Sequence, residues 1–339
     1  MPFEPRSVYI QEDALEYPLG KALLEHFRSH GPRPQVIAAR GRIPVRGATP
    51  GQKYVAAKAT LVVAVKRSLQ FQTCKPSAHY QLPLLTSCPG LCEYCYLNTR
   101  LGPQPYIRVY VNIDQILEAA RRLIEKHRPR VTVFEGAATS DPLPTERFTG
   151  ALARTVAFFG RQAGGRFRFV TKFPEVDPLL GLEHRSHTRV RFSINTPRII
   201  AQYEHLTPDL EGRLAAARKV AAAGYPTGFI VAPVIAYDGW EDEYRLLLDE
   251  VAAALGAARG ADVIFEVISH RFTARAKATI LSVFPETSLP MDESGRKVKF
   301  GQFGYRKFVY SEGTLSAIKA FFTAEILARM PWAGIDYVI

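Results

Sequence analysis

Cysteine is scarce in this chain, with four among 339 residues, and three of those four fall inside eight consecutive positions. A disulfide framework is thereby excluded, since such frameworks distribute paired cysteines along a short secreted chain. Long apolar runs are lacking too. None reaches the ~18 residues that a membrane span requires, so no membrane association is expected. The opening stretch, MPFEPRSVYIQEDALEYPLG, has no basic segment followed by an apolar one. A secretory signal is not expected, and a cytoplasmic location is. Internal repeats and low-complexity segments are absent. Acidic residues are in deficit, 32 against 44 lysines and arginines, for a net charge of +12. That balance predicts a polyanionic partner, nucleic acid before anionic membrane, with an arginine-rich solvated surface as the plainer alternative. The length suits one large domain or two smaller ones.

What is present is a rhythm. Residues 17–31 read as a short amphipathic helix ended by glycine, 32–58 as loop rich in Arg, Gly, Pro and Gln, and 59–67 as a strand. Together 1–80 form an N-terminal α/β extension. From there apolar, β-rich runs at 81–87, 130–137, 166–172, 188–195, 227–234 and 262–269 alternate with helix patterns near 113–127, 145–163, 211–223 and 240–256. Near-continuous apolar strands fit a parallel sheet covered on both faces. The expected fold class is α/β, a partial (β/α)6 TIM-like barrel over 81–275. Residues 276–339 form a C-terminal β-hairpin plus helix. The hairpin strands are RKVKF (296–300) and RKFVY (306–310), the tip carries Gln302 and Phe303, and the last helix spans 313–330. Ligands of such a fold meet the C-terminal ends of its strands.

The cysteines stand where a barrel would hold a cofactor. Cys88, Cys92 and Cys95 in TSCPGLCEYCYL have the spacing C-x3-C-x2-C. Thiolates suit zinc or an iron–sulfur cluster. A structural zinc site needs four ligands, and the nearest addition, His79, lies across a predicted strand. A cubane held by three cysteines leaves one iron open to another ligand.

This motif, after the first strand of a partial barrel, resembles the radical S-adenosylmethionine superfamily. The wider text is similar to the spore photoproduct lyase family within it. LEYPLGKAL (15–23), KPSAHY (75–80), CEYCYLNTRLGPQPYIRVYVN (92–112), FEGAATSDP (134–142), RFVTKF (168–173), RFSIN (191–195), GFIVAPV (228–234) and HRFTARAK (270–277) carry the likeness. The resemblance implies a 4Fe-4S cluster on Cys88, Cys92 and Cys95, and S-adenosyl-L-methionine beside Tyr96, Ser140, Lys172, Ser193 and Ala232. A helix-capping role for Ser140 and a solvated role for Lys172 are the bland alternatives. Glu135 and Asp141 are read as aids to the cofactor's amino group or as caps. The implied reaction is repair of the spore photoproduct, a thymine dimer, in damaged double-stranded DNA. A flavodoxin or ferredoxin is implied as electron donor, a monomer as the working state, and the spore core or germinating spore as the place.

One position departs from the family. Many members have cysteine where this chain has Ala138, and that cysteine donates hydrogen to the product radical. Either quenching is lost, another thiol serves, or the chain is an altered variant. Gly136 and Ala138 are read as leaving room for a side chain from elsewhere, and Cys74 as the substitute donor, with Tyr94 and Tyr96 as relay partners. A small buried thiol is the bland reading of Cys74. A lesion in a duplex must be extruded, and the basic, aromatic hairpin suits the wedge. Arg271, Lys277, Lys299, Gln302, Phe303 and Tyr305 are the DNA-contacting candidates, against a plain rim hairpin with a charged edge. Two rivals remain: a radical enzyme for another nucleic-acid lesion, and a non-catalytic, zinc-containing nucleic-acid-binding protein.

Overall fold

The computed structural model describes residues 2–39, 41–256, 262–300, 304 and 306–339. Contacts divide the chain into two units, Met1–Gly90 with Leu101–Val190, and Leu91–Arg100 with Arg191–Ile339.

In the first unit, the run TLVVA becomes the wholly buried strand Thr60–Ala64. It is central in a five-stranded sheet ordered Gln35–Ile37, Ser7–Gln11, Thr60–Ala64, Ile107–Tyr110, Leu85–Thr86. The first four run parallel and the last antiparallel. Helix Pro18–Ser29 lays Leu23 and Phe27 into the core, four residues apart on one face. The loop expected over 32–58 is in fact partly ordered, with strand Gln35–Ile37 and helix Pro50–Lys58. Its start is a capping box. Gln52 N donates to Thr49 Oγ1 at 3.1 Å, and Thr49 N to Gln52 Oε1 at 3.4 Å. Pro50 follows at the first helical position, where no amide is missed.

The first unit also holds the start of the barrel sheet. Strands Ala78–Gln81, Thr132–Glu135 and Gly165–Thr171 run parallel, and Thr73–Cys74 folds antiparallel onto the first of them. The expected strand over 81–87 is thus corrected. Pro83 has no amide for a ladder, and the run splits between strand Ala78–Gln81 and the two-residue Leu85–Thr86 of the other sheet. Helix Ile113–His127 matches its prediction. The helix expected over 145–163 breaks into Glu146–Thr149 and Ala151–Gly160, because Gly150 takes φ +57°.

Glu146 bridges that break. Its carboxylate accepts from Leu152 N at 2.7 Å and Ala153 N at 2.8 Å, satisfying two first-turn donors. Burial nevertheless pushes the carboxyl from 4.5 up to about 7. Between those values the folded chain keeps a proton that the unfolded chain has lost. The stabilisation is therefore whole below the lower value and disappears as pH rises through the upper. Glu146→Gln should flatten the fall in unfolding free energy from pH 5 to pH 7.5 by about 2 kcal/mol in denaturant titrations. An unchanged slope would contradict this account.

In the second unit, Thr227–Val234, Val263–Ser269 and Gly334–Val338 run parallel. The last strand is unforeseen: the chain ends in a strand after helix Glu312–Arg329, not in that helix. Buried Arg191 donates to Glu266 at 2.9 Å, and Tyr337 caps the other side of the same carboxylate oxygen at 2.9 Å. Gly228 lets the arginine stem pass, since a Cβ there would lie 2.8 Å from Arg191 Cγ. Hairpin strands Lys297–Phe300 and Arg306–Val309 pair antiparallel as expected. Parallel strands with helical connections run through both units, with the N-terminal sheet ahead and the hairpin and helix behind. The fold is the α/β partial barrel that the sequence predicts.

Candidate active site

In the first unit, the approach to Cys88 is fixed by a strained residue. Ser87 sits at φ +73°, an uncommon value for a side-chain-bearing residue. Three hydrogen bonds hold it there. Ser87 N donates to Thr139 O at 2.8 Å, its Oγ to Pro105 O at 2.6 Å, and Asp141 N donates to its carbonyl at 3.4 Å. The cysteine loop is thereby tied to the segment after strand Thr132–Glu135. Buried Lys58 grips the loop from below, its Nζ donating to Cys88 O at 2.8 Å and Gly90 O at 3.1 Å. The Gly90 amide points at Cys88 Sγ, 3.4 Å away, the kind of N–H···S contact that steadies a thiolate ligand.

The same unit places Ser140 and Lys172 around one buried carboxylate, Asp141. Thr171 Oγ1 and Lys172 N each donate to Asp141 Oδ2 at 3.0 Å, and Leu143 N to Oδ1 at 3.2 Å. Burial outweighs these bonds and pushes Asp141 up to about 7. Ser140 caps no helix; its Oγ donates to Gly136 O at 3.4 Å. Glu135 accepts from Ser77 at 2.8 Å and Ala137 N at 3.1 Å, and faces Arg168 at 3.6 Å. His79 is occupied elsewhere, its Nδ1 accepting from Val133 N at 2.9 Å. Cys74 is half-buried on the edge strand, in register with Ala78. The room expected at Gly136 is not there, since a Cβ would lie 2.5 Å from the Phe167 ring. Close packing, not a vacancy, demands that glycine.

In the second unit, Cys92 pairs with Glu204 in a short antiparallel ladder. Cys95 N donates to Cys92 O at 3.2 Å, and Asn98 Nδ2 to Glu93 O at 3.1 Å, winding the loop into helix Leu97–Arg100. Buried Glu93 is held by His205 at 2.7 Å and by the Thr287 hydroxyl. Tyr94 donates its hydroxyl to Glu204, which Arg213 meets at 2.6 Å with both side chains 0% exposed. Burial first, and then the Glu204 charge, push Tyr94 well above the ordinary phenol range. It is a hydrogen donor at any working pH. Arg213 also holds Ser193 O at 3.0 Å. Ala232 lies beside Pro233, whose carbonyl accepts from Asn195 at 2.8 Å. Glu204 and Arg213 carry no motif in the sequence, because they meet only through the fold.

A cavity of about 800 Å³ opens within this unit. Tyr94, Cys95 and Tyr96 form one wall and Arg271 belongs to the other. Tyr96 is 54% exposed on the cavity wall. Lys277 pairs with Glu293 at 3.1 Å, and exposed Lys299 stands opposite Lys307 in the hairpin. Gln302, Phe303 and Tyr305 lie outside the described residues. Buried His270 went unnoticed in the sequence. Arg296 donates to its carbonyl at 2.9 Å and meets its Nδ1 at 3.2 Å, while stacking 3.8 Å from the Tyr310 ring centroid. Burial and Arg296 hold His270 down to about 3, so it is neutral.

The donor set fits an iron–sulfur group. No disulfide joins any two of the four cysteines. Among the described residues, no three His, Cys, Asp or Glu side chains gather closely enough to hold one metal ion. Ligands of a cubane bind separate irons and need not converge on one point.

Comparison with known proteins follows the same line. The family model "Spore photoproduct lyase" matches residues 3–339. Spore photoproduct lyase of Clostridium acetobutylicum is 48% identical over 335 residues, 98% of each chain. That of Bacillus subtilis is 42% identical over 337 residues, 99% of this chain and 98% of the other. A double mutant of spore photoproduct lyase with bound AdoMet and dinucleoside spore photoproduct superposes with a TM-score of 0.97, at 44% identity and full coverage of both chains. The enzyme complexed with dinucleoside spore photoproduct gives 0.95 at 43% identity, covering 99% of each chain.

Proposed function

Because the chain belongs to the spore photoproduct lyase family, we propose that it repairs DNA by converting the spore photoproduct to two thymines. The observation that carries this reading is the full-length likeness to a structure holding both AdoMet and the lesion. The protein is a radical S-adenosylmethionine lyase that uses a 4Fe-4S cluster. When bound, that pair supplies a 5′-deoxyadenosyl radical for hydrogen abstraction.

The residues divide the remaining work. Cys88, Cys92 and Cys95 hold the cluster, with Ser87 and Lys58 fixing the approach to the first. Tyr96, Ser140, Lys172, Ser193 and Ala232 bind the cofactor. Asp141 orders the strand end that carries Ser140 and Lys172. Cys74 gives the hydrogen atom that closes the reaction, and Tyr94 and Tyr96 restore it. Arg271, Lys277, Lys299 and the hairpin tip with Gln302, Phe303 and Tyr305 engage damaged double-stranded DNA. The working division of the chain is 1–80, 81–275 and 276–339. The protein acts as a monomer in the spore cytoplasm, reduced by a flavodoxin or ferredoxin.

Anaerobically reconstituted protein, given reductant, S-adenosyl-L-methionine and synthetic dinucleoside spore photoproduct, should release thymidine and 5′-deoxyadenosine. Deoxyadenosine without thymidine would transfer the activity to another lesion. A colourless preparation containing only zinc would end the enzymatic reading.

A further inference from the structure

The cavity beside Cys95 and Tyr96 is one-sided in charge. Among the described residues its walls carry Arg100, Arg271, Arg275, Arg306 and Lys307, and no aspartate or glutamate. Such a lining attracts an anion. One wall is the start of the ten-residue helix Ala274–Val283. Thr273 caps that helix by accepting from Ala276 N at 3.0 Å. The cap answers only one first-turn donor, and the amides of Ala274 and Arg275 precede it on the cavity wall. A helix start of this kind binds phosphate through its N–H groups and its dipole.

A second observation is independent of the helix. His270 lies on the same cavity wall and is 2% exposed. Its Nδ1 faces the Arg296 guanidinium, which can only donate, so the ring proton belongs on Nε2. Among the described residues, that Nε2–H has no partner. A buried donor without an acceptor costs stability unless a ligand supplies one.

We infer that this wall is a seat for a phosphodiester of the lesion strand, namely the phosphate joining the two lesion nucleosides. The inference rests on the lyase reading and deepens it. Placement favours the linking phosphate over its neighbours. The seat and Tyr96 share one cavity, whose volume suits a dinucleotide. A flanking phosphate would lie a further nucleotide away from the reacting carbon.

The test compares three lesions that differ only in phosphate: the dinucleoside, the dinucleotide, and a tetranucleotide with flanking phosphates. Dissociation constants are measured by calorimetry on the reconstituted protein with S-adenosyl-L-methionine and no reductant. The dinucleotide should bind about tenfold more tightly than the dinucleoside, as one charge-assisted contact allows. Arg275→Gln, an exposed change, should reduce that ratio severalfold. Ala274→Pro should do the same by deleting one amide, at a helix position where proline is favoured and after a residue already extended (Thr273, φ −111°, ψ 159°). A ratio near one in the unaltered protein overturns the inference. So does a ratio that both variants leave intact, or a gain that appears only with the tetranucleotide. Adding reductant in parallel separates the two readings, since repair of every lesion at equal affinity would sink the seat and spare the lyase.

Discussion

Cys95→Ala is expected to give a folded, colourless protein that forms no 5′-deoxyadenosine. Three thiolates are the fewest that can hold a cubane while leaving one iron open, and the chain has no spare nearby. The loss should be at least about a thousandfold, equivalent to about 4 kcal/mol of barrier. Folding should survive. The loop is shaped by Asn98 on the Glu93 carbonyl and by the ladder between Cys92 and Glu204, neither of which needs the Cys95 thiol. Iron and sulfide analysis, with circular dichroism as the control, reads both halves. A variant that keeps its full iron and still cleaves the cofactor would remove Cys95 from the site.

Cys74→Ala should separate the two halves of the reaction. Iron content and deoxyadenosine formation persist, while thymine becomes the minor product and adducts of the unquenched radical dominate. The atom balance is simple. The thiol S–H bond breaks homolytically, the hydrogen atom forms a new C–H bond on the product radical, and a thiyl radical stays on the protein. Cys74 lies on the strand that folds onto Ala78–Gln81, and that strand in turn pairs with Thr132–Glu135, which leads to Ala138. A rescue follows from this order. Cys74→Ala combined with Ala138→Cys should recover clean thymine, because the second change restores a thiol at the position that many family members use. Product analysis by chromatography decides it. Clean repair by Cys74→Ala alone would mean that a different group quenches the radical.

Much of this was legible in the sequence, for identifiable reasons. Strand Thr227–Val234 coincides with its predicted run, and helix Ile113–His127 with its pattern, because both are long, periodic and bounded by clear breaks. The cysteines were legible because thiolate chemistry constrains spacing within one loop. Ser140, Lys172, Ser193 and Ala232 came from the family resemblance, and their places at predicted strand ends agreed with it, since open α/β folds collect ligands there. The errors were local contests. Pro83 divided an apolar run between two sheets, and Gly150 broke a helix that apolar periodicity alone would have continued. Helix Pro50–Lys58 hid behind loop-like composition, although Thr49, Pro50 and Gln52 spell a capping box. Lys58, Glu204 with Arg213, and His270 with Arg296 could not have been read. Each is a buried polar group whose partner is remote in sequence, and nothing local marks a lysine or arginine as interior.

The anchors of the cysteine loop have a further consequence. Lys58 clasps the Cys88 and Gly90 carbonyls at its start, and Glu204 pairs with Cys92 further along. Neither contact involves iron. In zinc-finger peptides the inorganic centre is itself the folding energy, and removing it dissolves the domain. Here protein groups alone make the contacts that shape the loop. The loop's shape is therefore expected to outlast removal of iron, with the circular dichroism of the stripped protein matching that of the loaded one.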